Sequence, residues 1–335
     1  MDRRFNYGID ISSHKRIDTS SSYELDYDDI SLLPQKCIVN SRKECDTSIK
    51  LGRYTFDMPV FPSNMKSVVN IDTCKYFAKL GWFYTMHRFG VDNTFFINEM
   101  KNEGLFTSIS IGIKEESRKD IERMVYFGLI PDYITIDVAN AYSDNAKRMA
   151  NLVKEKFPTT FLIVGTIASG DAAREITLWH VADAIRVGIA GGHVCTTKIT
   201  TGFYRPMVST IEDCCQLTTL PIIADGGIKH SGDIAKAIAC GASMVTCGVL
   251  FSGYDESAGD IIEINEKQYK EYYGNASEYN KKEKINIEGK KILVEYKGSI
   301  NKLTKSLKEN LQSSISYSGG KTLDSLRETT KIRIG

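Results

Sequence analysis

The sequence predicts an α/β chain folded as a single (β/α)8 barrel, with a lid segment after the eighth strand and a polar N-terminal extension. Three observations predict it. Eight short apolar runs recur along the chain, stretches of helical period lie between them, and each run ends in glycine or polar residues. The runs are MPVFPSN (58–64), GWFYTMH (81–87), LFTSISIG (105–112), DYITIDVA (132–139), TFLIVGT (160–166), ADAIRVGI (182–189), LPIIADGG (220–227) and ASMVTCGV (242–249). Their intervals suit a strand, a helix and two loops. Eight such units in series favour a closed parallel barrel, and an open doubly wound sheet is the alternative.

Between the runs, SRKDIERMVYFGL places Ile121, Met124, Val125 and Leu129 on one helical face. NAKRMANLVKEKF does the same with Met149, Leu152, Val153 and Phe157. SGDIAKAIACGA opens on a candidate cap, Ser231, and closes on Gly241. Past the eighth run, residues 272–300 are dense in Lys and Glu with little helical period. Their place, where an eighth βα loop belongs, reads as a solvated linker or a lid. LTKSLKENLQSSI (303–315) reads as a last amphipathic helix. The expected division is therefore an extension over 1–22 and one catalytic unit over 23–335, with a lid at about 272–300.

Composition narrows the function classes. A net charge of +1 gives no field for nucleic acid or a membrane surface. No apolar run approaches the roughly 20 residues that span a bilayer. The first 22 residues lack an apolar segment followed by a cleavage site. The eight cysteines contain no C-x-x-C pair, so a disulfide framework or zinc site is not expected, and a reduced, cytoplasmic setting is.

In a barrel, chemistry sits where strands end. Those positions are Asn64–Met65, His87–Arg88, Asp137, Gly165–Thr166, the loop GIAGGHVCTTKITTGF (188–203), Asp225–Gly227 and Gly248–Val249. The 188–203 loop wraps glycines around Cys195. A thiolate is a strong nucleophile, and nearby N–H groups or cations lower its pKa. Thr197 relays a proton if a carboxylate backs it, with Asp137 and Glu288 as candidates. The bland reading is a stray cysteine in a flexible loop. Gly226 and Gly227, with Gly248, stand in the seventh and eighth loops, where phosphate often binds this fold. Asp225 suits ribose hydroxyls, which points to a nucleotide. No G-x-G-x-x-G follows a strand and no His/Glu metal motif is present. His87 is read as a structural hydrogen-bonder.

Several segments carry a resemblance. YDDISLLPQKCIVNSR, FPSNMKSVV, MHRF, IDVANAYSDN, VGIAGGHVCTTKITTGF, IIADGGIKHSGDIAKAI, YYGNASEYNKKEKINIEGKKILVEYKGS and LQSSISYSGGKTLDSLR resemble the IMP dehydrogenase/GMP reductase family over residues 27 to about 333. The resemblance is to the reductase branch. It implies a TIM barrel and NADPH-dependent reductive deamination of GMP to IMP and ammonia, in purine salvage. Cys195 matches the family's catalytic cysteine, and Thr197 with Glu288 its proton-relay pair. Ser63, Met65, Asp225, Gly226, Gly227, Gly248, Val249, Gly274, Asn275, Ala276 and Gly289 match positions that bind the nucleotide. Ser41, Arg42, Arg88, Asp137, Val138, Ala139, Ile189, Ala190, Ser313, Ser314 and Ser316 match positions that contact NADPH. The 313–316 group would come from a neighbouring subunit, which implies a homo-oligomer, a tetramer. Backbone carbonyls of Ala190, Gly192, Cys195 and Lys198 match the family's potassium loop.

The chain departs from the family pattern at three points. The loop reads G-I-A-G-G where the family reads G-I-G-P-G, and Ala190 is strained if its φ is positive. Arg88 stands where many relatives carry Lys. Ile285, beside Lys284, stands where a basic residue precedes the relay glutamate. The dehydrogenase branch is a poorer match: only residues 88–104 lie between His87 and Leu105, which leaves no room for paired CBS modules, and the lid lacks an Arg-Tyr pair. Two further alternatives are a catalytically silent nucleotide binder and an FMN-dependent barrel.

Overall fold

Parallel pairing of buried, β-branched runs organises the chain, shown here by a computed structural model that describes residues 24–282 and 284–334. The extension expected over 1–22 lies outside the described residues. After β1 (Ile30–Leu32), a hairpin of β2 (Ile49–Leu51) and β3 (Tyr54–Phe56) leads into β4 (Val60–Pro62). Alternation then sets in: α1 (Ile71–Lys79), α2 (Asn93–Asn102), β5 (Ser108–Ile111), α3 (Glu115–Tyr126), β6 (Tyr133–Asp137), α4 (Asp144–Lys156) and β7 (Phe161–Ile167). It continues through α5 (Gly170–Leu178), β8 (Ala184–Val187), α6 (Thr197–Thr201), α7 (Met207–Leu217), β9 (Ile222–Asp225), α8 (Ser231–Ala239) and β10 (Met244–Cys247). Then come β11 (Ile261–Ile264), β12 (Lys267–Tyr273), α9 (Glu278–Lys281), β13 (Lys291–Glu295), α10 (Asn301–Tyr317), α11 (Asp324–Arg327) and β14 (Lys331–Arg333).

Seven strands form one parallel sheet in the order β4-β10-β9-β8-β7-β6-β5. Its edge strands are β4 and β5, and the first and last of the seven in sequence, β4 and β10, pair directly. Strands such as β6 are buried at every residue, as expected when both faces of a parallel sheet are covered. One expected strand is absent: 81–87 forms no named strand. It makes a single bridge, Met86 to Ile109, and hydrogen bonds at its two ends, Asp57 N–H to Gly81 O (2.8 Å) and Met86 N–H to Ser108 O (3.0 Å). Its aromatic residues read as strand because their side chains are core. Phe83 packs edge-on against Phe61 at 4.8 Å and joins a cluster with Leu51, Phe56, Tyr133, Ile163, Ala184, Ile223 and Met244. This cluster fills the foot of the sheet. The β2–β3 hairpin caps it, with Tyr133 donating its hydroxyl proton to Leu51 O (2.6 Å).

The helices follow their apolar stripes with two differences. In α3, Ile121 and Met124 are buried but Val125 is exposed, because it lies off the narrow stripe. In α4, Met149, Val153 and Phe157 are buried, with Leu152 partly so. Helix α8 starts at Ser231, but its N-cap is His230, and the Asp233 carboxylate accepts from His230 N–H (2.9 Å). No described helix is long and apolar enough to cross a membrane.

The Lys/Glu-rich segment is no plain linker: it holds the short helix α9 and strand β13. With the preceding residues it builds an antiparallel sheet in the order β11-β12-β13. One buried ammonium fastens this sheet to the body. Lys270 donates to the carbonyls of Tyr254 (2.9 Å), Asp255 (3.3 Å) and Ser257 (2.5 Å). Burial holds its pKa below the usual lysine range. Replacing Lys270 with Met strands three carbonyls, at a cost of about 2–3 kcal/mol. We expect amide hydrogen exchange over residues 261–295 to rise at least tenfold while β6–β8 stay protected; unchanged exchange would show that the sheet is held elsewhere.

Candidate active site

The cavity at the carboxyl ends of the parallel strands, about 430 Å³, is built around two glycine-bearing loops that touch. The loop after β8 carries Gly188 at φ +128°, where an added Cβ would collide with the Asp225 carbonyl. The loop after β9 carries Gly226 at φ +95°, and a Cβ there would lie 2.7 Å from the Gly191 carbonyl carbon. Gly227 N–H then donates to Gly191 O (2.8 Å). Glycine is required because the two backbones approach to contact. Ala190 sits at φ +63°, the strained conformation anticipated, at a cost of about 1–2 kcal/mol.

The other side of the Cys195 loop pairs with the segment before β13. Thr196 N–H donates to Glu288 O (2.9 Å), and Lys290 N–H donates to Val194 O (2.9 Å). This pairing brings Glu288, 93 positions beyond Cys195 (288 − 195), to the thiol. The Cys195 thiol donates to Thr197 Oγ1 (3.2 Å), and the Thr197 hydroxyl donates to Glu288 Oε2 (2.6 Å). Of the two carboxylates that might have backed Thr197 by sequence, Glu288 occupies that place. Asp137 is engaged elsewhere, by Arg186 Nη2 (2.6 Å) and Arg88 Nε (3.4 Å). A proton can therefore pass from sulfur to carboxylate through one hydroxyl.

Anchors fix the rest of the rim. Ser67 and Tyr273 exchange reciprocal hydrogen bonds (2.8 and 3.2 Å), and Asn275 Nδ2 donates to Asn64 O (3.1 Å). These join β12 and the turn after it to the loop following β4. Gly248 must be glycine, since a Cβ there would overlap the Tyr272 hydroxyl. Burial pushes the Tyr272 phenol well up, so it stays a proton donor. His87 is buried and accepts from Phe89 N–H (3.1 Å) through Nδ1; burial, then Lys66, pushes it down to about 4.

Most residues singled out by sequence line this one cavity. The nucleotide-matching positions do so except Gly289, which bridges Cys195 from the adjoining segment. Arg88, Asp137, Val138, Ala139, Ile189 and Ala190 line it as well. Ser41, Arg42, Ser313, Ser314 and Ser316 do not. They gather outside its walls, where Arg42 donates to Ser313 Oγ (3.0 Å) and Tyr317 OH (3.1 Å). Of the proposed ion-binding carbonyls, Gly192 O accepts from Cys195 N–H (3.0 Å), and the Lys198 ammonium lies 4.1 Å from the Tyr204 ring centroid. Sequence reasoning placed Asn64 at a strand end but missed Arg186, Tyr272 and Lys281, all in the cavity wall. Arg186 left one signal, a lone charge inside the apolar run ADAIRVGI.

The sequence is similar to known proteins over nearly its whole length. A family model described as IMP dehydrogenase / GMP reductase domain matches residues 24–334. A Chromobacterium violaceum protein named GMP reductase is 56% identical over 311 residues, covering 93% of this chain and 98% of its own. Proteins of the same name from Oceanobacillus iheyensis and Albidiferax ferrireducens are 48% identical over 310 residues and 46% over 312. Each alignment covers 92% of this chain, and 94% and 96% of the respective relative. With the family model spanning residues 24–334 and a relative 56% identical over 93% of this chain, the chain belongs to the IMP dehydrogenase/GMP reductase family.

Proposed function

We propose that this chain is a GMP reductase, an oxidoreductase of purine nucleotide interconversion that converts GMP to IMP and ammonia with NADPH. The observation that carries the reading is the hydrogen-bonded row Cys195–Thr197–Glu288 at the mouth of a nucleotide-sized cavity. The thiol passes its proton through Thr197 to Glu288, and sulfur bonds to C2 of guanine. The proton returns along the same row to the amino group. The C2–N bond then breaks and ammonia leaves, with Cys195 held on the purine. The hydride that replaces the C2–S bond is the chemistry NADPH supplies when bound. Covalent attachment divides one hard substitution into two easier steps.

The residues present fit both ligands. Ser63, Met65, Gly226, Gly227, Gly248 and Val249 would receive the phosphate and ribose, with Asp225 toward the ribose hydroxyls. Gly274, Asn275, Ala276 and Gly289 would close over the base. Val138, Ala139, Ile189 and Ala190 give an apolar wall beside Cys195 for the nicotinamide, with Arg88 and Asp137 next to it. Ser41, Arg42, Ser313, Ser314 and Ser316, lying outside this cavity, would hold the far end of a cofactor bound mainly to a neighbouring copy. That division of labour supports a homotetramer. A potassium ion would sit on the carbonyls of Ala190, Gly192, Cys195 and Lys198; no step above depends on it.

The same reading proposes a single catalytic unit over 23–335 without CBS modules, working in the cytoplasm. It makes 81–87 the eighth stave of a closed TIM barrel, supported by its bonds toward Asp57 on one side and Ser108 on the other. The sheet β11–β13 with the 272–300 region is its lid.

Mixing the protein with GMP and NADPH should bleach the nicotinamide band, and Cys195→Ala should abolish turnover. Activity with IMP and NAD alone would instead identify a dehydrogenase. Glu288→Gln should lower kcat by about 10²–10⁴-fold while KM for GMP changes little, since proton relay acts in the transition state. Arg42→Ala should raise KM for NADPH, leave KM for GMP unchanged, and keep the tetramer on size exclusion.

A further inference from the structure

Among the described residues, Arg186 is the one cation on a strand of the parallel sheet, and its guanidinium reaches three different strand ends. Nη2 donates to Asp137 Oδ1 at the end of β6 (2.6 Å). Nη1 donates to Asn64 Oδ1 after β4 (2.8 Å). Nε lies 3.1 Å from Asp225 Oδ2 at the end of β9, a charge contact rather than an aligned hydrogen bond. Asp137 in turn meets Arg88 Nε at 3.4 Å. The result is an alternating row, Arg88–Asp137–Arg186–Asp225, running across the cavity wall with its charges balanced.

Resting on the reading above, we propose that Arg186 is a positioning residue that couples the two ligand sites, holding Asp225 and Asn64 for the nucleotide and Asp137 for the nicotinamide cofactor. Several facts lead there. An arginine fork presents donors in fixed directions, so holding one partner fixes the angle toward the others. Asn64 shows the effect: because its oxygen faces Arg186, its amide nitrogen is turned away, buried, and without a partner among the described residues. A buried amide nitrogen left open beside a cavity is a donor reserved for a ligand. Asp225 likewise has Arg186 as its ion-pair partner, and burial pushes its carboxyl up while Arg186 opposes that rise. A shift of the guanidinium toward one carboxylate withdraws it from the other, so ligand contact at Asp225 is felt at Asp137.

A lysine keeps the charge but cannot span three strand ends. Arg186→Lys is therefore expected to raise KM for GMP and KM for NADPH at least fivefold each, with kcat falling less than threefold. A double-mutant cycle reads the coupling itself. Asp225→Asn should raise KM for NADPH in the wild-type background and leave it unchanged in the Arg186→Gln background. The proposal is overturned if Arg186→Lys leaves either KM within twofold of wild type, or if Asp225→Asn shifts the cofactor KM equally in both backgrounds. Circular dichroism and melting temperature report folding; if Arg186→Gln does not fold, the lysine variant decides alone. Wild-type protein that does not turn over GMP sinks the functional reading instead, and calorimetric titration of GMP and of NADPH into wild type and Arg186→Lys then tests the coupling by the same fivefold criterion.

Discussion

The pairing of the Cys195 loop with residues 288–290 is the constraint from which the site follows. Two backbone hydrogen bonds, Thr196 to Glu288 and Lys290 to Val194, tie a strand-end loop of the parallel sheet to a segment folded on a separate antiparallel sheet. Without them, Glu288 has no reason to stand near the thiol. With them, a thiol, a hydroxyl and a carboxylate from two layers of the molecule share one hydrogen-bonded row. The glycines of both loops serve this same arrangement. They let the loop after β8 lie flat against the loop after β9 on one side, leaving its other edge free to pair. Ala190 tolerates a left-handed backbone here because both neighbours fix the loop's path.

A second level of order is electrostatic. The wall of the cavity carries alternating charges, and at its middle the Arg186 and Asp137 side chains are buried, so each of these charges depends strongly on its partners. Removing one member leaves another buried and uncompensated, which costs more than losing the pair. Such a row is rigid for the same reason. The aromatic cluster at the foot of the sheet and the Lys270 tether supply the mechanical counterpart, holding strand ends and antiparallel sheet at fixed separation.

Much of this was legible in the residues, and the failures have physical causes. Seven of the eight apolar runs became parallel strands because β-branched residues buried on both faces leave few other options. Residues 81–87 misled because burial and strand pairing are different properties: Phe83 and Tyr84 are fully buried, yet the backbone bonds only at the ends. The antiparallel sheet escaped notice because β13, KILVE, alternates between exposed and half-buried residues under a heavy load of charge. Cys195 and Thr197 stood out by their setting in the loop, and the family resemblance supplied Glu288 as their partner. Asp137 was legible as a site residue, but its partner was not, since nothing in ADAIRVGI tells which strand ends an arginine will reach.

The filled foot of the sheet has a consequence for traffic. Among the described residues, Tyr133, Phe61 and Phe83, capped beneath by the β2–β3 hairpin, fill that end of the sheet. The interior is thus a blind well with its opening on the side of Cys195. On the function proposed above, the ligand that enters first would lie deepest, and ammonia would leave past the one that entered last. On that reading the shape of the vessel would set the order of arrival and departure.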